Sequence, residues 1–104
     1  MAEARRLLLH EELCELLGSR AVYYQPPESL KMDYPCIRYS GSGFDTMYAD
    51  NRPYKTIKRY EGIIITPDPD SDIPELMLNQ FEMCNVSSTY VANNLYHHPF
   101  TLYY

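Results

Sequence analysis

The sequence predicts an α+β fold: one small mixed sheet of about five strands flanked by two helices, in the order α-β-β-β-α-β-β, with a long extended loop. Three observations predict it. A leucine stripe at helical spacing opens the chain, a β-branched and aromatic run occupies its middle, and a capped helical run with short strand segments follows. The 104 residues suit one domain spanning 1–104, with room for one modest core and hardly for a deep substrate cleft as well.

Residues 3 to 18 read as a helix. Leu9, Leu13, Leu16 and Leu17 recur every three or four residues, and Leu7 and Leu8 widen the stripe. Gly18 is a natural stop just past the helix end. Ala21 to Tyr24 is a short strand, ended by Pro26 and Pro27. Residues 25 to 34 read as a loop with one helical turn. A second strand runs from Pro35 to Tyr39 and is interrupted by Gly41-Ser42-Gly43. Phe44 to Tyr54 reads as a long arm or hairpin loop, in which Thr46, Met47 and Tyr48 could extend a strand and Ala49 to Pro53 is turn chemistry.

Lys55 to Thr66 is the clearest strand, and its inner half, Ile63-Ile64-Ile65, is apolar throughout, as in the centre of a sheet. Pro67 to Asp72 stops it. A helix follows from Ile73 to Met83, with Asp72 as N-cap, Pro74 in the first turn and Glu75 answering the helix dipole. Its apolar face comprises Leu76, Met77, Gln80, Phe81 and Met83. Val86 to Val91 is a strand, Ala92-Asn93-Asn94 a turn, and Pro99 to Tyr104 a closing strand.

Composition narrows the function. Apolar residues make up 45% of the chain, too many for a disordered segment. The net charge of −5 argues against a nucleic-acid binder, which needs a basic excess. The one basic cluster, Arg52, Lys55, Lys58 and Arg59, reads as a solvated strand face. No apolar run approaches the ~20 residues of a membrane helix, and the N-terminal segment is charged and amphipathic, unlike a signal peptide. Cys14, Cys36 and Cys84 are widely spaced and read as buried free thiols in a reducing compartment.

No constellation meets the demands of catalysis, cofactor binding or metal binding. Asp68, Asp70 and Asp72 alternate like the start of a calcium loop, but Ile73 and Asn79 stand where the loop needs Gly and Glu. A turn and a helix cap explain all three. His97 and His98 are adjacent, so on a strand they point to opposite faces. Neither a phosphate-binding glycine loop nor a nucleophile elbow is present. The positive signal is tyrosine: 11 Tyr with no Trp. Tyr pairs an apolar ring with a polar tip and is enriched at protein interfaces. A small domain cannot hide them all. Phe44, Met47, Tyr48 and Tyr54 on the arm, with Tyr103 and Tyr104 at the end of the chain, are the interface candidates.

Several phrases carry a family resemblance: Tyr24-Gln25-Pro26-Pro27-Glu28, Tyr34-Pro35-Cys36-Ile37-Arg38-Tyr39, Ala49-Asp50-Asn51-Arg52-Pro53-Tyr54, Pro67 to Pro74, and the ending from Val91 to Tyr104. In order and spacing, from Tyr23 onward, the chain resembles the small neck proteins encoded between capsid and tail genes of tailed bacteriophages, and among them the tail terminator or tail completion proteins. The resemblance implies a small α/β sandwich, with helices on one side of a sheet and a long extended loop. It also implies a virion protein without an active site, folded in the host cytoplasm during assembly. Its expected partners are further copies of itself in a hexameric ring, the tail tube protein, and a head-completion or connector protein. Membrane and specific nucleic-acid partners are not implied, although genome DNA would pass through such a ring. Two alternatives stay open: a different neck component, and a small metal-binding or enzymatic domain drawing on His97, His98 and the three cysteines.

Overall fold

The computed structural model describes residues 2–27, 31–49 and 52–104, without side-chain surroundings for 2–4 and 45–56. The helical turn expected within 25–34 and the tip of the turn at Asp50-Asn51 lie outside the described residues. The elements are α1 (Ala2–Leu17), β1 (Val22–Tyr24), β2 (Cys36–Ala49), β3 (Arg52–Thr66), α2 (Ile73–Gln80), β4 (Cys84–Val86), β5 (Tyr90–Ala92) and β6 (Leu95–Tyr103). This is an α+β fold with one mixed sheet, of six strands rather than five. The strand order is β1-β2-β3-β6-β4, and β5 also pairs with β6. β1 runs parallel to β2, and every other pairing is antiparallel.

One face of the sheet carries the core. Val22, Ile37, Tyr39, Tyr60, Ile64, Phe100 and Leu102 meet Leu9, Leu13 and Cys14 of α1, Ile73 and Met77 of α2, and Phe81 just beyond α2. Leu9 and Leu13 lie one turn apart on the same side of α1 and are fully buried. Removing the Leu13 side chain to Ala is expected to cost about 3 kcal/mol, read as a lower urea midpoint at unchanged slope. The stripe is narrower than the sequence reading. Leu7 and Leu8 are 53% and 62% exposed, because they sit about 200° and about 100° around the helix from Leu9. Gly18 ends α1 as expected, at φ +81°, with its N–H donating to the Cys14 carbonyl at 2.9 Å.

Other boundaries move for identifiable reasons. α2 stops at Gln80 rather than Met83, because Phe81 is already extended (φ −110°, ψ 132°). Ile73, Met77 and Phe81 form the buried row at four-residue spacing, which leaves Leu76, Gln80 and Met83 exposed. Asp72 makes no side-chain cap. Instead Ser71 Oγ accepts the Ile73 N–H at 3.3 Å, and Asp68 Oδ1 accepts the Asp70 N–H at 2.9 Å in a tight turn. The expected strand from Val86 to Val91 is split into β4 and β5, and β6 starts at Leu95, ahead of Pro99. A strand residue aims its N–H and C=O at the same neighbour. The Pro99 carbonyl accepts from Ser87 N at 2.7 Å, so the missing proline N–H faces the break between β4 and β5. Asn93 and Asn94, at φ 53° and 61°, close the β5–β6 hairpin with the backbone that a two-residue turn requires.

The largest correction concerns Gly41 to Tyr54. The glycines do not end β2, and the arm is not a loop. β2 continues to Ala49 and pairs with β3 from Cys36↔Ile65 out to Ala49↔Arg52. The register shifts twice, between Gly41 and Gly43 and again between Met47 and Tyr48; the first shift is a bulge that Gly43 accommodates at φ +126°. Arg59 satisfies the extra residue: its Nε donates to Ser42 Oγ at 3.1 Å and its guanidinium to the Ser42 carbonyl at 3.0 Å.

Candidate assembly surface

The long β2–β3 pair outruns the rest of the sheet. β1 pairs with β2 only at Ile37–Tyr39. β6 pairs with β3 only from Arg59 to Thr66, with one further bond from Tyr104 N to the Lys58 carbonyl at 3.1 Å. Beyond that point β2 and β3 have only each other among the described residues. Strands rise about 3.4 Å per residue, so Arg52 to Lys58 project roughly 20 Å as a two-stranded ribbon. β3 is 15 residues long, in a molecule that measures 50 × 25 × 23 Å.

Such a ribbon is an incomplete structure. A two-stranded hairpin alone in water is marginal, and its two edges present unpaired backbone donors and acceptors. Phe44 stands at its base, 60% exposed, with the Lys58 ammonium 6.0 Å from its ring centre. Met47 and Tyr48 lie opposite Lys55 and Pro53 on the ribbon backbone, and Tyr54 lies near its tip on β3. The side chains of these three lie outside the described residues. The structure therefore groups four of the six interface candidates on one projecting element.

The other two are placed differently. Tyr103 is half-buried at the end of β6. Tyr104 is engaged within the chain: its hydroxyl donates to Glu12, its ring meets Phe81 edge-on at 6.2 Å, and the Arg5 guanidinium lies 5.6 Å above it. The Glu12 carboxylate holds the Tyr104 phenol up at about 12. Tyr24, Tyr39 and Tyr60 also serve the core, with ring centres 5.0 and 6.0 Å apart in succession. Arg6 lies 4.2 Å over Tyr24, and Tyr39 shares a 2.8 Å hydrogen bond with His10 Nδ1. Burial pushes Tyr39 up to about 12. Tyrosine count alone thus overstated the exposed aromatic surface. Among described residues the exposed aromatics are Tyr34, Phe44 and Tyr90.

Sequence reasoning also missed an aliphatic surface. Leu76 and Leu78 of α2 are 43% and 46% exposed. Leu76 lines a groove of about 350 Å³ between the helices with Glu15, Leu16, Asn79 and Gln80. The signal lay in the eight-residue length of α2: a helix of two turns can bury only one row of side chains.

Among the described residues no group of three His, Cys, Asp or Glu side chains could hold a metal ion. Burial pushes the Cys36 and Cys84 thiols up to about 11 and raises Cys14 as well, so each is protonated at neutral pH, the unreactive form. His97 Nδ1 bonds the Leu95 carbonyl at 3.1 Å, while His98 Nδ1 bonds Thr89 Oγ1 at 2.8 Å. His98 Nε2 is buried without a partner. No described helix is long and apolar enough to cross a membrane.

Buried His98 and half-buried His10 predict an acid sensitivity. Burial lowers the pKa of His98, with His97 adding to the shift; burial also lowers that of His10, with Arg20 and Arg6 adding. The unfolded chain, at 6.5, then binds protons that the folded chain refuses. Stability is full above that value and declines as pH falls from about 6.5 toward the folded pKa values. Urea midpoints measured from about pH 7 to about pH 5 should fall, and the decline should be shallower in His98→Gln.

No family model matches the chain, and no curated protein and no solved structure matches it at a significant level.

Proposed function

We propose that the chain is a structural assembly subunit, a tail terminator of a tailed phage that forms a hexameric ring, caps the tail tube and offers a surface to the head connector. The observation that carries the assembly reading is the β2–β3 ribbon, which leaves the body with both edges unpaired among the described residues. A monomer gains nothing from extending this ribbon into water, whereas a neighbouring subunit would cover its edges and apolar residues. Helices confined to one face of a sheet are also what the neck-protein resemblance implies, although the long extended loop it implies is here a strand pair.

The test is imaging of purified phage tail tubes, negatively stained with and without added protein. Six-fold caps at one tube end support the terminator reading. Binding to the head connector while tube ends stay bare moves the protein to another neck position, and indifference to both ends the phage reading.

A further inference from the structure

We propose that His98 is an acid-sensitive latch: neutral, it holds β5 against β6, and protonated, it lets the segment from Ser87 to Ala92 swing off and bare the β6 edge. The adjacent histidines, which take no part in the assembly reading above, thereby acquire a role of their own.

Little else holds this segment. Ser87 to Val91 are all exposed, and none of residues 87–94 belongs to the buried cluster. β5 pairs with β6 only at Tyr90↔His97, Val91↔Tyr96 and Ala92↔Leu95. Two side-chain contacts supplement the ladder, and both end on a histidine of β6. On the core face Thr89 Oγ1 and His98 Nδ1 share a 2.8 Å hydrogen bond. On the other face the Tyr90 ring lies stacked on His97, with 4.8 Å between ring centres and 10° between planes. Neighbouring strand residues point to opposite faces, so the histidine pair clamps the segment from both sides. A segment with so few buried contacts opens locally at less cost than the whole fold.

Only one of the two clasps responds to protons. His98 is 8% exposed, and its Nε2 is buried without a partner. A neutral ring can leave Nε2 as a bare lone pair while Nδ1–H donates to Thr89. In a protonated ring both nitrogens are donors, and Nε2 becomes a charged N–H with no acceptor, the costliest kind of unpaired buried group. No opposite charge offsets it among the described residues. On the core face of β3 its neighbours are Ile64 and Thr66, β4 contributes Val86, the crossing segment offers Ser87, Ser88 and Thr89, and α2 buries Ile73 and Met77. The one titratable group whose charge acts on it is His97, which opposes protonation. His97 itself keeps its contact when charged, because a cation sits well on an aromatic face. Lifting Thr89, and β5 with it, brings water to the His98 ring. The backbone groups released are those of Leu95 and His97, which aim at β5 as Pro99 aims at Ser87. They form an open strand edge able to pair with another chain.

Amide hydrogen exchange tests this, read by NMR from about pH 7 to about pH 5 and expressed against an unstructured chain at the same pH. The opening that exposes the amides of Tyr90, Ala92, Leu95 and His97 should grow by about tenfold or more across that range. Low urea should alter it little, because little surface is uncovered. Tyr60 and Ile64, whose amides aim from β3 at β6, should stay at least about a hundredfold better protected and should respond to urea. In His98→Gln, which can still reach Thr89 but does not titrate, the pH response of the four amides should flatten. Thr89→Ala, a change at an exposed position, should increase their opening about fivefold at neutral pH.

The proposal is overturned if exchange of the four amides is flat with pH in the parent, or keeps its pH dependence in His98→Gln. It is also overturned if they share the protection and urea response of Tyr60, which would place their release in global unfolding. Should His98→Gln fail to fold, Thr89→Ala decides: exchange unchanged from the parent at neutral pH means that the Thr89–His98 bond is no latch.

Discussion

Gly62→Ala is expected to destabilise the fold by about 3 kcal/mol, more than its single added methyl suggests. Gly62 lies in β3 between Tyr39 of β2 and Phe100 of β6. A Cβ there would sit 2.5 Å from the Arg38 carbonyl oxygen and 2.6 Å from Cζ of the Phe100 ring. The oxygen belongs to the neighbouring strand and cannot swing aside, so β2 and β3 must part. The ring is 98% buried, at 2% exposure, and must leave a filled core. Gly41→Ala is the control: its Cβ would meet the Lys58 side-chain end at 2.9 Å, a flexible group that can move. Urea denaturation should show a large fall in midpoint for Gly62→Ala and little change for Gly41→Ala. Equal midpoints for the two variants would mean that the β2–β3–β6 packing is wrong.

Removing the ribbon is expected to abolish self-association while leaving the body folded. Replacing residues 46–56 by Asn-Gly closes the pair after Asp45↔Ile57 with a turn suited to hairpins. It also retains Ile57, which is 7% exposed and lines a cleft with Phe81 and Tyr104. None of the residues of the buried cluster is removed, so the melting temperature should stay within about 4 °C of the parent, a change of less than about 1 kcal/mol. Association, read by light scattering over a concentration series, should weaken by at least about a hundredfold, or about 2.8 kcal/mol. A shortened chain that assembles as the parent does would refute the role given to the ribbon.

The elements that read best from sequence were those whose side chains meet their own neighbours. The Leu9–Leu13 spacing, the Gly18 stop and the triple isoleucine of β3 are local signals, and each lies where it was expected. What misled was set by distant partners. Gly41-Ser42-Gly43 looks like a strand break until Arg59, across the ladder, takes up the groups of Ser42. Pro99 looks like the start of a strand, yet it lies inside β6, where its missing N–H falls at the break between β4 and β5. The tyrosines divide in the same way. Tyr24, Tyr39 and Tyr60 are pairing partners or near neighbours in three adjacent strands, which no spacing along the chain reveals. Of the candidate site, the segment was legible from its apolar residues within turn chemistry. Its form as a ribbon was not, because a hairpin without a sheet beside it has no alternating buried face to read. The groove beside α2 was hidden because Leu76 looked like core.

The mass of the intact chain in solution, measured by light scattering from low to high concentration, tests most directly whether this protein works by assembling with itself. The account predicts a mass that rises from 12.2 kDa to a closed multiple, six-fold for the ring, and then stops rising. A mass of 12.2 kDa at every concentration, unaltered by salt and the same with or without the ribbon, would contradict it.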